Sequence, residues 1–238
     1  MKCVLVTGGS RGIGKECVLE FTRLGYKVAF TYLNSKSEAM ELSRLTGATA
    51  ILADSSVEAD VVSAVKTARE ALGTVDVLIN NAAISSFSLF TELSLSEWNK
   101  TFAVSVTGAF LYSRECLSEM INKKQGRIIN ISSMWGLVGS SCEVHYSAAK
   151  AAIIGMTKAL AKEVGPSGIT VNAIAPGVIN TDMNSALTKE DLNALCEETP
   201  LGRIGEPIEV ARAAAYLASD DASFITGAVL NISGGMVV

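Results

Sequence analysis

Tyr146 and Lys150 have the residue types and the spacing of a proton-transfer pair. They stand four positions apart, so a helix would present both side chains on one face, and Ser133 precedes Tyr146 by thirteen residues. A phenol has a reference pKa of about 10 and is a poor acid–base catalyst at neutral pH, but a nearby ammonium is expected to lower that pKa. A serine hydroxyl on a neighbouring loop could hold a carbonyl or alcohol oxygen against the phenol. The alternative is a half-buried ring beside a solvated charge, and the choice depends on whether the fold supplies a hydride donor.

Short apolar runs alternate with longer amphipathic stretches along the whole chain. Strands are predicted at about 3–6, 28–30, 50–52, 77–79, 128–131, 170–174 and 229–232, and helices at about 12–24, 36–46, 57–72, 97–122, 146–164 and 207–218. Strands that are apolar on both faces and alternate with helices indicate a parallel sheet covered on both sides. We therefore predict one α/β domain, 1–238, with a Rossmann-type doubly wound parallel β-sheet of about seven strands flanked by helices on both faces.

The longest region without a predicted element runs from about 178 to 205. It follows the carboxyl end of a predicted strand, which is where ligands bind in such sheets, and long loops in such domains are usually functional. We interpret 182–205 as a substrate lid, with a plain surface excursion as the alternative.

The length and composition are typical of a folded globular protein large enough to be an enzyme. Its 238 residues are 49% hydrophobic and 18% charged, enough for a sizeable core. The net charge of −4 argues against nucleic acid as a partner, and no apolar run reaches the ~18 residues of a membrane span. The apolar N-terminal run is too short for a signal peptide. Five cysteines without a Cys-x-x-Cys pair, and a single histidine, argue against a metal site and indicate reduced thiols in a cytoplasmic protein.

A glycine turn joins the first predicted strand to the first helix. Its members are Gly8, Ser10, Arg11, Gly12, Ile13 and Gly14. Glycines permit positive φ and let a phosphate approach the backbone, while the helix N-terminus offers free N–H groups and a partial positive charge. The spacing differs from the common G-x-G-x-x-G fingerprint, but its place in the chain favours dinucleotide binding over a plain tight turn.

The end of the second strand bears on the choice between NAD and NADP. A carboxylate there would bind the adenosine ribose and repel a 2′-phosphate, yet the segment around Tyr32 has no acid before Glu38. Arg11 could pair with a 2′-phosphate, so we favour NADP(H) over NAD(H). Asp54, with Ser55 beside it, is expected to accept from the adenine amino group. The alternatives are a solvated loop charge for Arg11 and an Asx turn or helix cap for Asp54.

The motifs together identify the chain as resembling the short-chain dehydrogenase/reductases over essentially its whole length. They are Thr7-Gly8-x-x-x-Gly12-Ile13-Gly14, Asn80-Asn81-Ala82-Ala83, Ser133, Tyr146-x-x-x-Lys150, Pro176-Gly177-x-x-x-Thr181 and Ile225-Thr226-Gly227 followed by Gly234-Gly235. Within the family the segments 126–133 and 200–207 look most like the 3-oxoacyl-[acyl-carrier-protein] reductases of fatty acid biosynthesis.

The resemblance implies an NADPH-dependent oxidoreductase that reduces a 3-oxoacyl thioester. Lys150 would hold the nicotinamide ribose and lower the pKa of Tyr146, Tyr146 would protonate the carbonyl oxygen, and Ser133 would orient that oxygen. The resemblance adds further cofactor contacts at Asn81, Ala82, Pro176, Gly177, Ile179 and Thr181. It also implies a homotetramer and an acyl-thioester partner, possibly acyl carrier protein.

The chain departs from the family pattern at Ser105, where an asparagine is usual. In the family that asparagine is thought to hold a water in a proton relay to the lysine. A serine is shorter but still donates and accepts hydrogen bonds, so we expect a slower or rerouted relay at this catalytic position.

A second group of departures affects the substrate. Ser167 replaces a common arginine of the carrier-protein face, although Lys123, Lys124 and Arg127 are kept. The approach to the site, 142–146, reads Cys-Glu-Val-His-Tyr instead of the more usual Gly-Gln-x-Asn-Tyr. His145 would contact the substrate, or it is a packed loop histidine. Two other functions stay open: a dehydrogenase of another alcohol, such as a polyol, sugar acid or steroid, and a nucleotide-binding member that has lost catalysis.

Overall fold

Seven parallel strands form one sheet in the order β3-β2-β1-β4-β5-β6-β7. The computed structural model describes residues 2–184 and 188–238. The strands are β1 (Cys3–Val6), β2 (Lys27–Tyr32), β3 (Thr49–Leu52), β4 (Val77–Asn80), β5 (Gly126–Ile131), β6 (Ile169–Pro176) and β7 (Val229–Ile232). The helices are α1 (Gly12–Arg23), α2 (Lys36–Thr46), α3 (Glu58–Leu72), α4 (Leu95–Phe102), α5 (Gly108–Lys123), α6 (Trp135–Val138), α7 (Val144–Val164), α8 (Lys189–Glu198) and α9 (Pro207–Ala218). The predicted doubly wound α/β fold is confirmed.

Each face of the sheet carries its own hydrophobic core. Val4 and Phe30 belong to the cluster under α1, α2 and α9, whereas Leu5 and Leu78 belong to the cluster under α3, α5 and α7. Successive strand residues point to opposite faces, so a strand covered on both sides must be apolar throughout. Full burial of each large aliphatic side chain contributes about 1.5–3 kcal/mol, and these clusters fix the strand ends that carry the site.

The strand order reverses between β1 and β4, and this places the site. β1 pairs with β2 on one side and with β4 on the other, and the Thr7 N–H donates to the Ile79 carbonyl at 2.9 Å. In open parallel sheets the crevice at the carboxyl ends of the strands beside such a reversal is the ligand site. The glycine turn follows β1 and the Asn80–Ala83 segment follows β4, so both meet at this crevice.

Helix α7 carries Tyr146 and Lys150 to the sheet. Its buried residues include Tyr146, Lys150, Ile153 and Thr157, a spacing of three and four that keeps one face inward. The helix begins two residues before the predicted start, so Tyr146 lies in its first turn. Among the described residues no helix is both long and apolar enough to cross a membrane.

The helix predicted over 97–122 is two helices joined by a π-helical turn. A capping box between Ser94 and Glu97 starts α4 at Leu95, and the π turn Ala103–Thr107 connects it to α5. One helix was predicted because the chain stays helical through the π turn and 103–107 contains no glycine or proline to mark a break. Such turns concentrate at functional sites.

The region predicted as irregular, 178–205, contains a helix. A capping box between Thr188 and Asp191 starts α8, and a parallel bridge between Ile179 and Gly205 closes the base of the excursion. The helix buries no residue, so it contributes nothing to the core from which the other elements were predicted. Residues 185–187 of the predicted lid lie outside the described residues.

Candidate active site

The glycine turn has the backbone that only glycine adopts readily. Gly8 has φ +63° and Gly12 has φ +53°, both in the left-handed region. A Cβ on Gly14 would overlap the Gly8 carbonyl oxygen and stand 2.6 Å from Asn81 Nδ2. Helix α1 begins at Gly12, so its first N–H groups face the turn without intrahelical partners. The turn is therefore a cradle shaped for a pyrophosphate.

Thr7 and Asn81 tie this turn to the end of β4. The Thr7 hydroxyl accepts from the backbone N–H groups of Asn81 and Ala82 at 2.9 and 3.0 Å. In return the Asn81 amide donates to the carbonyls of Thr7 and Gly8, both at 3.0 Å. Asn81 and Ala82 thus reach the predicted cofactor side, with the Asn81 amide used to hold the turn.

The segment after β6 closes the other side of the cradle. The methyl group of Thr181 would lie 3.4 Å from a Cβ on Gly12, so Thr181 covers the glycine turn. Gly177 donates to the Ile232 carbonyl at 2.8 Å and packs against Ser233. Pro176 ends β6 and Ile179 is buried. The predicted nicotinamide-side residues therefore follow one strand end that faces the glycine turn.

The predicted adenosine end combines an exposed cation with a buried wall. Arg11 is exposed as the N-cap residue of α1, whereas Ser10, Tyr32 and Ser55 are buried. Asp54 Oδ1 accepts from the Ser56 N–H at 2.8 Å and from its hydroxyl at 2.6 Å. One oxygen of Asp54 is therefore engaged in the Asx turn that was the alternative to adenine binding.

Ser133 and Tyr146 meet at the carboxyl end of β5. Both are buried, and the Ser133 hydroxyl lies close enough to the phenol to favour its ionised form. The Ser133 oxygen also accepts from the Trp135 N–H at 3.2 Å, where α6 begins. The short helix α6, which was not predicted, thereby orients the serine toward Tyr146.

Burial, and not Lys150, sets the acidity of the phenol. Desolvation raises the pKa of Tyr146 to about 12, with Ser133 opposing the rise and the charge of Glu143 adding to it. The prediction that Lys150 lowers this pKa is therefore wrong for the structure as it stands. Lys150 Nζ lies 5.5 Å from the Tyr146 ring centroid and donates to the Ile131 carbonyl at 2.7 Å. Its charge is thus directed at a backbone oxygen.

Lys150 is fully enclosed and its position is fixed from both ends. Burial lowers the pKa of its ammonium to about 8. Its own carbonyl accepts from the Ser132 hydroxyl at 2.8 Å, and Gly136 packs against it so closely that a Cβ would stand 2.8 Å from the carbonyl carbon. An ammonium with this pKa can release its proton close to neutral pH, which suits a proton reservoir.

Ser105 occupies the centre of the π turn. The turn packs against α7, and the Ser105 hydroxyl is buried without a hydrogen-bond partner among the described residues. An unsatisfied buried hydroxyl is costly and calls for an explanation such as a bound water. The geometry is consistent with a polar group that lies beside the catalytic helix and could bind a water.

His145 is a packed residue. Its side chain has no exposed surface, and Nε2 lies 3.1 Å from the Ser86 hydroxyl. The predicted substrate contact at His145 is therefore wrong, because a fully enclosed ring has no surface for a substrate. His145 is the packed histidine of the alternative interpretation, and it lies where α7 contacts the loop after β4.

A buried polar chain that the sequence analysis missed links α5, β4, β5 and α7. The Asn80 amide donates to Asn130 Oδ1 at 2.8 Å and to the Ser113 hydroxyl at 3.1 Å. The Asn130 amide donates to the Thr157 hydroxyl, which donates to the Ile153 carbonyl, both at 2.8 Å. Asn130 within the apolar run of β5 was the available signal. The chain fixes α7, and hence Tyr146, relative to the sheet.

Comparisons with known proteins agree with this geometry. The family model described as enoyl-(acyl carrier protein) reductase matches residues 8–237. The chain is 41% identical over 235 residues to the acetoacetyl-CoA reductase of Rhizobium meliloti, covering 98% of each chain. It is 41% identical over 247 residues to the 3-oxoacyl-[acyl-carrier-protein] reductase FabG of Vibrio cholerae, covering 99% of this chain and 97% of that one. The crystal structure of a blue fluorescent protein from a metagenomic library, in complex with NADPH, superposes with a TM-score of 0.94 at 37% identity, covering 100% and 98%.

Proposed function

The chain belongs to the short-chain dehydrogenase/reductase family, and we propose that it is an NADPH-dependent reductase of 3-oxoacyl thioesters. The observation that carries the proposal is the buried Ser133–Tyr146 contact, with the enclosed ammonium of Lys150 on the next turn of the same helix. It stands at the crevice where the glycine turn offers a dinucleotide site. Relatives that reduce acetoacetyl-CoA and 3-oxoacyl carrier-protein substrates share this whole length of chain.

The residues present fit a dinucleotide. The left-handed Gly8 and Gly12, the space left by Gly14 and the start of α1 would hold the pyrophosphate, with Thr181 over it. Asn81, Ala82 and Lys150 would hold the nicotinamide ribose. When bound, the reduced nicotinamide supplies the hydride. An NADPH-bound family member of the same fold supports the cofactor class.

The side chains then perform the proton half of the reaction. Ser133 holds the keto oxygen against Tyr146, which donates its proton as negative charge develops on that oxygen. The ammonium of Lys150 stabilises the phenolate that results and, with a pKa of about 8, can return a proton to it. The proposed lid around α8 would exclude water from this step.

One assay tests the function directly. When purified protein is mixed with NADPH and acetoacetyl-CoA, the absorbance of the reduced nicotinamide should fall at a rate proportional to the enzyme concentration. Turnover only with NAD and a secondary alcohol such as a polyol, sugar acid or steroid would replace the proposal with the second function. Nucleotide binding without turnover on either panel would indicate a family member that has lost catalysis.

Replacing Arg11 by alanine should separate the two nicotinamide cofactors. The exposed guanidinium is free to pair with a 2′-phosphate, a charge-assisted contact worth about 1.5–3 kcal/mol, or roughly ten- to hundredfold in Kd. The Kd for NADPH, measured by fluorescence titration, should rise by that factor, and the Kd for NADH should barely change. Equal losses for both cofactors would contradict the 2′-phosphate role.

Replacing Ser105 by asparagine should change the proton relay. The buried hydroxyl has no hydrogen-bond partner within 2–184 and 188–238, and the longer amide would reach further toward the water that the relay needs. We expect a higher kcat and an altered pH profile for Ser105→Asn, with Ser105→Ala slower than the parent. Steady-state kinetics across pH provide the measurement, and an unchanged kcat and pH profile in both variants would remove Ser105 from the mechanism.

The thioester carrier is better matched by coenzyme A than by a carrier protein. Of the three basic residues kept from the carrier-protein face, Lys123 bonds to Asp76 at 3.0 Å, and Arg127 is buried with Asp220 3.6 Å away. Only Lys124 is left to meet an acidic carrier, beside Ser167. The ratio of kcat/KM for acetoacetyl-CoA to that for the acyl-carrier-protein thioester measures this preference.

Assembly as a homotetramer and a cytoplasmic location complete the proposal. Large apolar side chains stand exposed on and near α4 and α5, among them Leu95 and Phe110. A pair of long helices with exposed apolar residues is suited to packing against a second copy. Cys17, Cys116, Cys142 and Cys196 are free thiols, which fits a reducing compartment. Light scattering would give the oligomeric state.

A further inference from the structure

Glu143 is a buried carboxylate that the reaction as described does not use. It is 7% exposed and is the N-cap residue of α7, three positions before Tyr146. Its Oε1 accepts from the Ser85 hydroxyl at 2.5 Å. A buried acid needs a reason to be retained, because burying a charge is costly unless it is hydrogen-bonded or paired.

The fold delivers this carboxylate to the catalytic tyrosine. Residues three apart at a helix start lie on the same face, so Glu143 and Tyr146 are neighbours, as Tyr146 and Lys150 are one turn further on. The partial positive charge of the helix N-terminus accommodates the negative charge of Glu143. Tyr146 is thus flanked along one helix face by an anion on one side and a cation on the other.

A loop contact holds Glu143 in place. The segment after β4 is joined to the start of α7 by Ser85 at Glu143, by Ser86 at His145 and by the Ser88 N–H at the Cys142 carbonyl, 2.9 Å away. This is the same segment whose first residues are tied to the glycine turn. The position of the carboxylate is therefore fixed by the frame that would hold the cofactor.

We infer that the Glu143 carboxylate keeps Tyr146 protonated and so preserves the proton donor of the reduction at alkaline pH. The inference rests on the proposed reductase function. Negative charge near a phenol opposes its ionisation, and the charge of Glu143 raises the pKa of Tyr146 in addition to the larger effect of burial. A glutamine at this position would give the same hydrogen bond to Ser85 without the charge.

The other charged groups around Tyr146 do not supply this effect. Lys150 is a cation, and its ammonium donates to the Ile131 carbonyl. His145 is enclosed and hydrogen-bonded to Ser86. Glu97 on α4 is exposed and hydrogen-bonded to Ser94, which lowers its pKa more than the charge of His145 does. The neighbouring polar groups from β5 and the π turn, Ser133 and Ser105, are uncharged. Glu198 of α8 borders Trp135 and the C-terminal residues.

The test is the pH profile of Glu143→Gln. The alkaline limb of kcat/KM for thioester reduction should move about one pH unit lower, and the rise of alcohol oxidation should move lower by the same amount. Glu143→Asp should restore the parent limbs because it restores the charge. Glu97→Gln is the matched control, since glutamine keeps the capping box and the side chain is exposed. A lower kcat with both limbs unmoved would overturn the inference.

A second readout does not depend on turnover. Phenolate absorbance of the parent and of Glu143→Gln, each taken as a difference from its Tyr146→Phe counterpart, is followed up to the highest pH at which circular dichroism reports folded protein. Phenolate appearing at lower pH in Glu143→Gln supports the inference even if the thioester proves to be the wrong substrate. Coincident difference curves would overturn it while leaving the proposed function standing.

Discussion

Tyr146→Phe is expected to lower the rate of thioester reduction by about 10²–10⁴-fold while leaving the fold intact. The change removes only the phenolic oxygen, the group that gives its proton to the keto oxygen. The ring fills the same space, and the hydroxyl makes at most one interaction of the strength of a neutral hydrogen bond, so we expect a loss of stability of about 1 kcal/mol or less. Single-turnover rates with NADPH and acetoacetyl-CoA, and the Tm, are the measurements.

The matched control for that variant is Tyr112→Phe. Tyr112 is as deeply buried as Tyr146, and burial raises its pKa to about 12 too, but it lies on α5 within the core cluster and not at the carboxyl end of β5. Its loss should leave kcat within a few fold of the parent. Retention of near-parental turnover by Tyr146→Phe, or an equal loss in both variants, would mean that another group provides the proton.

Gly14→Ala is expected to disable cofactor binding. The new Cβ would overlap the Gly8 carbonyl oxygen and crowd the Asn81 amide, so the turn must open. Overpacking of this kind costs about 1–3 kcal/mol, which corresponds to a roughly ten- to hundredfold higher Kd for NADPH if the strain falls on the cradle. Fluorescence titration with NADPH measures the Kd, and thermal unfolding measures how much of the strain falls on the fold.

Gly155→Ala is the control for this change. Gly155 lies inside α7 with open space around its Cβ position, so alanine should stabilise the helix by about 0.5–1 kcal/mol and leave the Kd for NADPH unchanged. If Gly14→Ala bound NADPH as tightly as the parent, the turn would not be the pyrophosphate cradle.

The fold was predictable because its signals are local. Strands such as Cys3–Val6 are apolar on both faces, and helices such as Lys36–Thr46 have an amphipathic period, so each element can be recognised within its own window of sequence. The misjudged places are the π turn at 103–107, where the chain stays helical through a change of helix type, helix α6, which is one turn long, and helix α8, which buries no residue.

The site was predictable in its residue types and less so in its electrostatics. When the Tyr146–Lys150 spacing and the glycine turn at 8–14 occur in the same α/β chain, they indicate one kind of site, a proton-transfer pair beside a bound dinucleotide. Their pKa values depend on burial and on charges from distant segments. The lowered pKa predicted for Tyr146 was wrong because a helix spacing gives the neighbours of a group and does not give its desolvation.

The sequence by itself determined the fold class, the place of the dinucleotide turn and the identity of the proton-transfer pair, because each is encoded by residues close together in the chain. Only the tertiary structure decided that His145 is enclosed, that Asn80 and Asn130 anchor α7, and that Glu143 is a buried anion beside Tyr146. Those facts come from contacts between segments tens of residues apart. Their effect depends on the exclusion of water, which no local pattern of residue types reports.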